Sequence, residues 1–175
     1  MTLGLSLETF TLLHVVISFI GILAGFVVVF GLVGGKRLDG LTALFLTTTV
    51  LTSVTGFMFP FEKVTPAIKL GIISLVVLAI TIAARYAFHL AGAWRVIYAV
   101  GATLALYLNV FVLVVQSFEK VPALKALAPT QSEPPFLVAQ LAVLVAFLVL
   151  GTFAAIRFRR VVESGLSRAA ALGKR

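Results

Sequence analysis

The side chains that could do chemistry in this sequence are polar residues set at helical spacing inside long apolar runs: His14, Ser18, Thr52, Thr55, Asn109, Gln116 and Gln140. His14 and Ser18 stand four residues apart, and Gly21 and Gly25 continue their stripe. Thr52 and Thr55 line up with Thr48 in a segment that also holds Thr47, Thr49 and Ser53. Asn109 and Gln116 share a stripe with Ala102 and Ala105, and Gln140 lies one turn inside the last apolar run. An imidazole near neutral pH changes charge or ligates a metal, whereas hydroxyls and amides only donate and accept hydrogen bonds. Such a set suits the capture of a small molecule, a lipid headgroup, a quinone-like molecule or a proton. Packing is the plainer reading. Threonine hydroxyls bond their own helix one turn back, a lone histidine bonds a neighbouring hydroxyl or amide, and the spacing of Gly21 and Gly25 is that of a close helix contact.

A second group gathers at the opposite depth. Gly71, Ser74, Thr81, Arg85 and His89 form a stripe that becomes more polar along its run, joined by Tyr86, Trp94, Arg95 and Tyr98. Arg85, His89, Trp94 and Arg95 are the candidates for a cytoplasmic interface, where aromatic and basic residues anchor helices and an arginine such as Arg85 can snorkel toward water.

Other chemistry lacks its residues. Cysteine is absent, which removes disulfides, thiolate metal sites, thioether-linked haem and cysteine nucleophiles. No paired carboxylates occur and no serine sits beside a base, so the chain is not expected to be an enzyme. No cofactor or metal is expected. A b-type haem would need ligands on facing helices, but His14 and His89 fall at opposite ends, leaving only a weak pairing of His14 with Met58.

The elements that carry these residues follow from composition. Of 175 residues, 61% are hydrophobic and 11% charged, against roughly 25% charged in soluble domains. About 20 apolar residues cross the hydrocarbon core as a helix, and five runs are long enough: 10–33, 41–59, 67–88, 96–116 and 136–158. Proline, or glycine with charge, punctuates their ends at Gly34-Gly35-Lys36-Arg37, Pro60, Pro66, Trp94-Arg95 and Pro134-Pro135. The expected fold is an all-α, five-helix transmembrane bundle over residues 1–160 with a basic cytoplasmic tail at 161–175. The first run lacks a basic leader and a small-residue cleavage site, so it is expected to remain in the mature protein.

Five crossings sort the basic residues by side. Lys36, Arg37, Arg85, Arg95, Arg157, Arg159, Arg160, Arg168, Lys174 and Arg175 share one face, and Lys63, Lys69, Lys120 and Lys125 the other. The positive-inside rule makes the first face cytoplasmic and the amino end external, in a plasma membrane or bacterial inner membrane. The net charge of +8 therefore reflects topology, and nucleic acid is not an expected partner.

Phe61-Glu62-Lys63-Val64-Thr65-Pro66-Ala67-Ile68-Lys69 recurs, one residue shorter, as Phe118-Glu119-Lys120-Val121-Pro122-Ala123-Leu124-Lys125. If the echo is ancestral, segments two-three and four-five form a parallel hairpin repeat. If not, the string is simply a good membrane exit, with an interfacial aromatic, charges and a helix-opening proline. After the second copy, Val121, Leu124 and Ala128 predict a short interfacial helix, and 129–135 an extended linker. The tail could prolong the last helix along anionic lipid.

The sequence alone thus favours a module that binds or transports a small molecule, lipid or ion in the outer half of the bundle. The alternative is a structural or accessory subunit of a larger membrane complex or homo-oligomer, and a b-type haem redox protein is weaker. Membrane lipids are the expected partners in every case.

Overall fold

The structure is a computed structural model that describes residues 4–60 and 66–172, with side chains described through residue 159. Helix makes up 83% of it, and no strand occurs among the described residues. The elements are α1 (Leu7–Val33), α2 (Asp39–Gly56), α3 (Pro66–Ile82) continued by a π-helical turn (Ala83–Ala87), α4 (Trp94–Lys120), α5 (Pro122–Leu127) and α6 (Pro134–Leu172).

Four segments are long and apolar enough to cross a membrane: Leu7–Val33, Pro66–Ala87, Trp94–Lys120 and Pro134–Arg159. The other long helix, α2, has 18 residues, about 27 Å at 1.5 Å per residue. Asp39 and a run of threonines lower its apolar character, and it is not among those four. Large apolar side chains cover the outside of the bundle, including Leu12, Leu23 and Phe30 on α1, Val76 on α3 and Val145 on α6. Such a surface is compatible with a multi-pass membrane protein and would be an aggregation hazard in water.

Local chemistry sets the helix ends. Ser6 caps α1 by accepting the Thr9 N–H at 3.1 Å. Gly35, at φ +69°, reverses the chain after α1, where a side chain would be strained. The second segment was expected over 41–59, yet α2 stops at Gly56. Phe57 and Met58 tighten into a turn, bonding the Val54 and Thr55 carbonyls, and Pro60 disfavours helix at the residue before it. The third segment leaves α geometry at Ala83, where an extra residue per turn shifts the register of Arg85. The Leu90 N–H then reaches back to the Ala84 carbonyl, and His89, Leu90 and Gly92 take positive φ to end the helix.

The short helix expected after the second FEKV string is present as α5, with Pro122 at its start. Pro66 likewise opens α3; the first string's residues 61–65 lie outside the described residues. The expected extended linker is instead a folded turn. Gln131 stands at φ +58° and donates Nε2 to the Val115 carbonyl at 3.0 Å. The Glu133 carboxylate accepts from the Thr130 hydroxyl at 2.9 Å and from the Thr130 and Ser132 N–H groups. Against a slight loss of hydration, these bonds hold its carboxyl below the ordinary glutamate value. Helix α6 continues through the basic tail to Leu172, and the tail side chains from residue 160 onward lie outside the described residues.

α1 lies along α2 and also touches α4 and α6, while α3 bridges α2 and α4. Small residues allow these approaches. Ala99, Ala102 and Ala105 of α4 are fully buried. A Cβ on Gly25 would come within 2.7 Å of Leu106 and 2.8 Å of the Phe45 ring. The Phe45, Leu106, Val28 and Leu32 side chains pack beneath, closing the middle of the bundle. Toward the amino end of α1, where α1 still touches α2 through His14 and Thr55, a space opens among α1, α2, α3 and α4, and it is the site described next.

Candidate functional site

A cavity of about 710 Å³ opens between α1, α2, α3 and α4, within the range of small-molecule sites. Its walls are mostly apolar, with Ile22 and Leu108 deep, Val112 and Leu113 on α4, and Phe57 and Phe59 where α2 ends. Gly71 gives the Phe57 ring its place, since a Cβ there would lie 2.8 Å from that ring. Val15 and Phe19 belong to the walls and are also 40% and 47% exposed, so the cavity reaches the apolar flank of the bundle.

Set into these walls is a polar layer. His14 Nδ1 lies 2.8 Å from Thr55 Oγ1. The Thr55 hydroxyl has its own proton on the Leu51 carbonyl at 2.7 Å. Its oxygen therefore accepts, and His14 Nδ1 is the donor. A neutral imidazole in that tautomer keeps a lone pair on Nε2. Phe59 meets the ring edge to face at 5.2 Å and holds it in place. Ser18 Oγ donates to the His14 carbonyl at 2.7 Å and lies 3.3 Å from Thr52 Oγ1. Asn109 donates one amide N–H to Thr49 Oγ1 at 3.3 Å and keeps a second N–H and a carbonyl oxygen. Ser53 and Ser74 meet at 3.2 Å where α2 touches α3. A mostly apolar chamber that carries donors and acceptors on α1, α2 and α4 can hold an amphiphile by its head.

The residues singled out from sequence divide three ways. His14, Ser18, Thr52, Asn109 and Gln116 all line the cavity, Gln116 as an exposed residue that shares its wall with Lys120. Thr55 stands behind His14 as its partner and is not in the wall. Gln140 lies away from the cavity. It is buried between α6 and α4, where Nε2 donates to the Phe111 carbonyl at 3.2 Å and Oε1 has no partner. Helical spacing could not separate it from the others, because α6 contributes nothing to these walls. Sequence reasoning passed over Phe57 and Phe59, whose only signal was their position just past the end of α2, while Gly71, placed in the polar stripe of the third segment, turns out to seat the Phe57 ring.

At the other end of the bundle Arg85 departs from expectation. Its side chain does not snorkel but is 4% exposed, bonded to the Asp39 carboxylate at the start of α2. The guanidinium lies 5.5 Å from the Tyr86 ring centre and 5.3 Å from that of Tyr98, a favourable cation–π arrangement. Tyr98, fully buried, shares a hydrogen bond with Thr42 at 3.3 Å. A snorkelling side chain needs a path to water along its helix, and the π-helical turn points Arg85 at α2 and α4 instead. Asp39 lay just outside the expected second segment, which hid the pairing. Trp94 stacks on Phe88 at 3.8 Å, Arg95 Nε donates to the Leu90 carbonyl at 2.8 Å, and His89 is exposed with Nδ1 3.1 Å from the Ala87 carbonyl.

Among the described residues no three His, Asp or Glu side chains gather as a metal site. The chain matches no family model, no curated protein and no solved structure.

Proposed function

We propose that this chain is a five-span membrane protein that takes up a small amphiphile from the bilayer into the outer half of its bundle. The molecule's polar head rests on His14, Ser18, Thr52 and Asn109, and its apolar body lies along Val112, Leu113, Phe57 and Phe19. The supporting observation is a mostly apolar cavity that reaches the bundle's lipid-compatible surface and carries these four polar side chains on α1, α2 and α4. With Nε2 accepting and the Asn109 amide able to both donate and accept, a hydroxyl or carbonyl head fits best.

Counting α2 as the fifth crossing has its own support. Its length nearly matches the roughly 30 Å hydrocarbon core, and it lies between α1 and α3. Many of its hydroxyls bond within the helix: Thr48 to the Leu44 carbonyl, Ser53 to Thr49 and Thr55 to Leu51, which lowers the cost of placing them in lipid. Five crossings put the basic face inside, the cavity outside, and the protein in a plasma or bacterial inner membrane. Binding, with no chemical step, is all that these residues require.

The test uses a dansyl-labelled monoacylglycerol titrated into the protein in bilayer nanodiscs. His14→Ala and Asn109→Leu should each weaken binding about tenfold, as loss of one hydrogen bond to a ligand does. Gln140→Leu should leave it unchanged. Equal affinity in all three variants, each with an unaltered melting profile, would remove the reading.

A further inference from the structure

The α4 wall of the outer cavity is polar at both ends. Asn109, Leu113, Gln116 and Lys120 stand four, three and four residues apart, so they form one helical stripe, and all four line the cavity. From Asn109 to Lys120 that stripe rises about 16 Å. We propose that the molecule taken into the cavity is a medium-chain acid with a hydroxyl or carbonyl toward its far end, its carboxylate held at the mouth by Lys120 and Gln116. The inference rests on the reading that the cavity takes up an amphiphile, and it adds the charge and the length of that molecule.

Three observations carry it. Among the described residues Lys120 is the only Lys, Arg, Asp or Glu in the cavity walls, so the one full charge a ligand meets there is positive. Lys125 and Lys69 are exposed at the same end of the bundle but do not line the cavity. Next, the mouth donors are free: neither the Lys120 ammonium nor the Gln116 amide has an ion pair or a side-chain hydrogen bond among the described residues, and both side chains are exposed. Ser117, beside them, directs its proton to the Leu113 carbonyl at 2.7 Å. An ammonium and an amide one turn apart suit the two oxygens of a carboxylate. Finally, Val112 and Leu113 separate this pair from Asn109, which keeps a free N–H and carbonyl beside Thr49.

The two ends together exclude simpler ligands. A plain fatty acid held at the mouth lays hydrocarbon against Asn109 and His14 Nε2 and leaves their hydrogen-bonding groups unmatched, which is costly in a mostly apolar space. A neutral amphiphile seated on Asn109 leaves the mouth donors to water, and a cationic one meets a like charge with no carboxylate to offset it. An extended chain of about twelve carbons covers the distance between the two polar ends.

The experiment titrates ω-hydroxydodecanoic acid, dodecanoic acid and α,ω-dodecanediol into the full chain in nanodiscs of neutral lipid, by calorimetry with empty discs subtracted, in buffer alkaline enough to ionise the acids. The hydroxy acid should bind tighter than either relative. A salt bridge at an exposed mouth is weak, so Lys120→Met should cut the preference for the hydroxy acid over the diol about threefold to fivefold, and added salt should do the same in the unaltered protein. Lys125→Met should keep that preference. Asn109→Leu should instead remove the preference for the hydroxy acid over dodecanoic acid, about tenfold. Equal affinity for the three probes, or preferences that survive Lys120→Met and Asn109→Leu, overturns this inference while binding of the monoacylglycerol leaves the amphiphile reading standing. Binding of no probe, the monoacylglycerol included, overturns both.

Discussion

Asp39→Ala destabilises the protein by about 2–4 kcal/mol, more than Arg85→Met does, because removing one partner of a buried pair leaves the other uncompensated. The asymmetry follows from exposure. The Arg85 side chain is 4% exposed and the Asp39 side chain 69%. Without Asp39, a buried guanidinium keeps two tyrosine rings for company but no counter-charge, while its Nε is already unsatisfied. Without Arg85, the carboxylate simply hydrates, and the methionine refills most of the space between Tyr86 and Tyr98. Unfolding of the purified protein by sodium dodecyl sulfate, followed by circular dichroism, ranks the two variants. A larger loss for Arg85→Met would show that stacking and packing, not charge pairing, hold the π-helical turn to α2.

Gly25→Val is expected to cost about 3 kcal/mol, the upper range for overpacking. The first added carbon already falls 2.7 Å from Leu106 Cδ1 and 2.8 Å from Phe45 Cε2, and both neighbours are fully buried. Neither ring nor branched side chain has space to retreat, so α1 must move away from α2 and α4. Two turns along α1 from Gly25 sits Ser18, 3.3 Å from Thr52. The displacement therefore also opens the polar layer, and binding of the monoacylglycerol probe should weaken together with stability. At Gly21 the nearest neighbour is Thr48 Oγ1 at 3.0 Å, so Gly21→Ala should be milder. The same unfolding titration compares the two; equal losses would mean that α1 is not seated by Gly25.

How much of this was legible beforehand depends on the residue. In apolar helices the rare polar side chains mark the inward face, so the stripe from His14 to Gly25 and the line from Thr48 to Thr55 gave the faces that α1 and α2 turn into the bundle. The spacing of Asn109 and Gln116 aimed α4 at the same space. What spacing could not supply was the neighbour of each helix: Gln140 has the right period and depth, yet α6 packs behind α4 and keeps it from the cavity. Proton bookkeeping was equally hidden, since the tautomer of His14 depends on where Thr55 directs its hydroxyl. The Asp39 and Arg85 pair was missed for a third reason. An aspartate drawn two residues outside a span reads as loop, and nothing in sequence announces that a π-helical turn will swing an arginine 46 positions later back toward it.

Single cysteines test the crossing of α2 most directly, because the chain has none of its own. Gly40→Cys and Lys69→Cys flank α2 and the loop beyond it, and both positions are exposed. In intact cells a membrane-impermeant maleimide should label Lys69→Cys at once and Gly40→Cys only after permeabilisation. Labelling of both from the same side would mean that α2 does not cross, and would remove the outward-facing cavity with it.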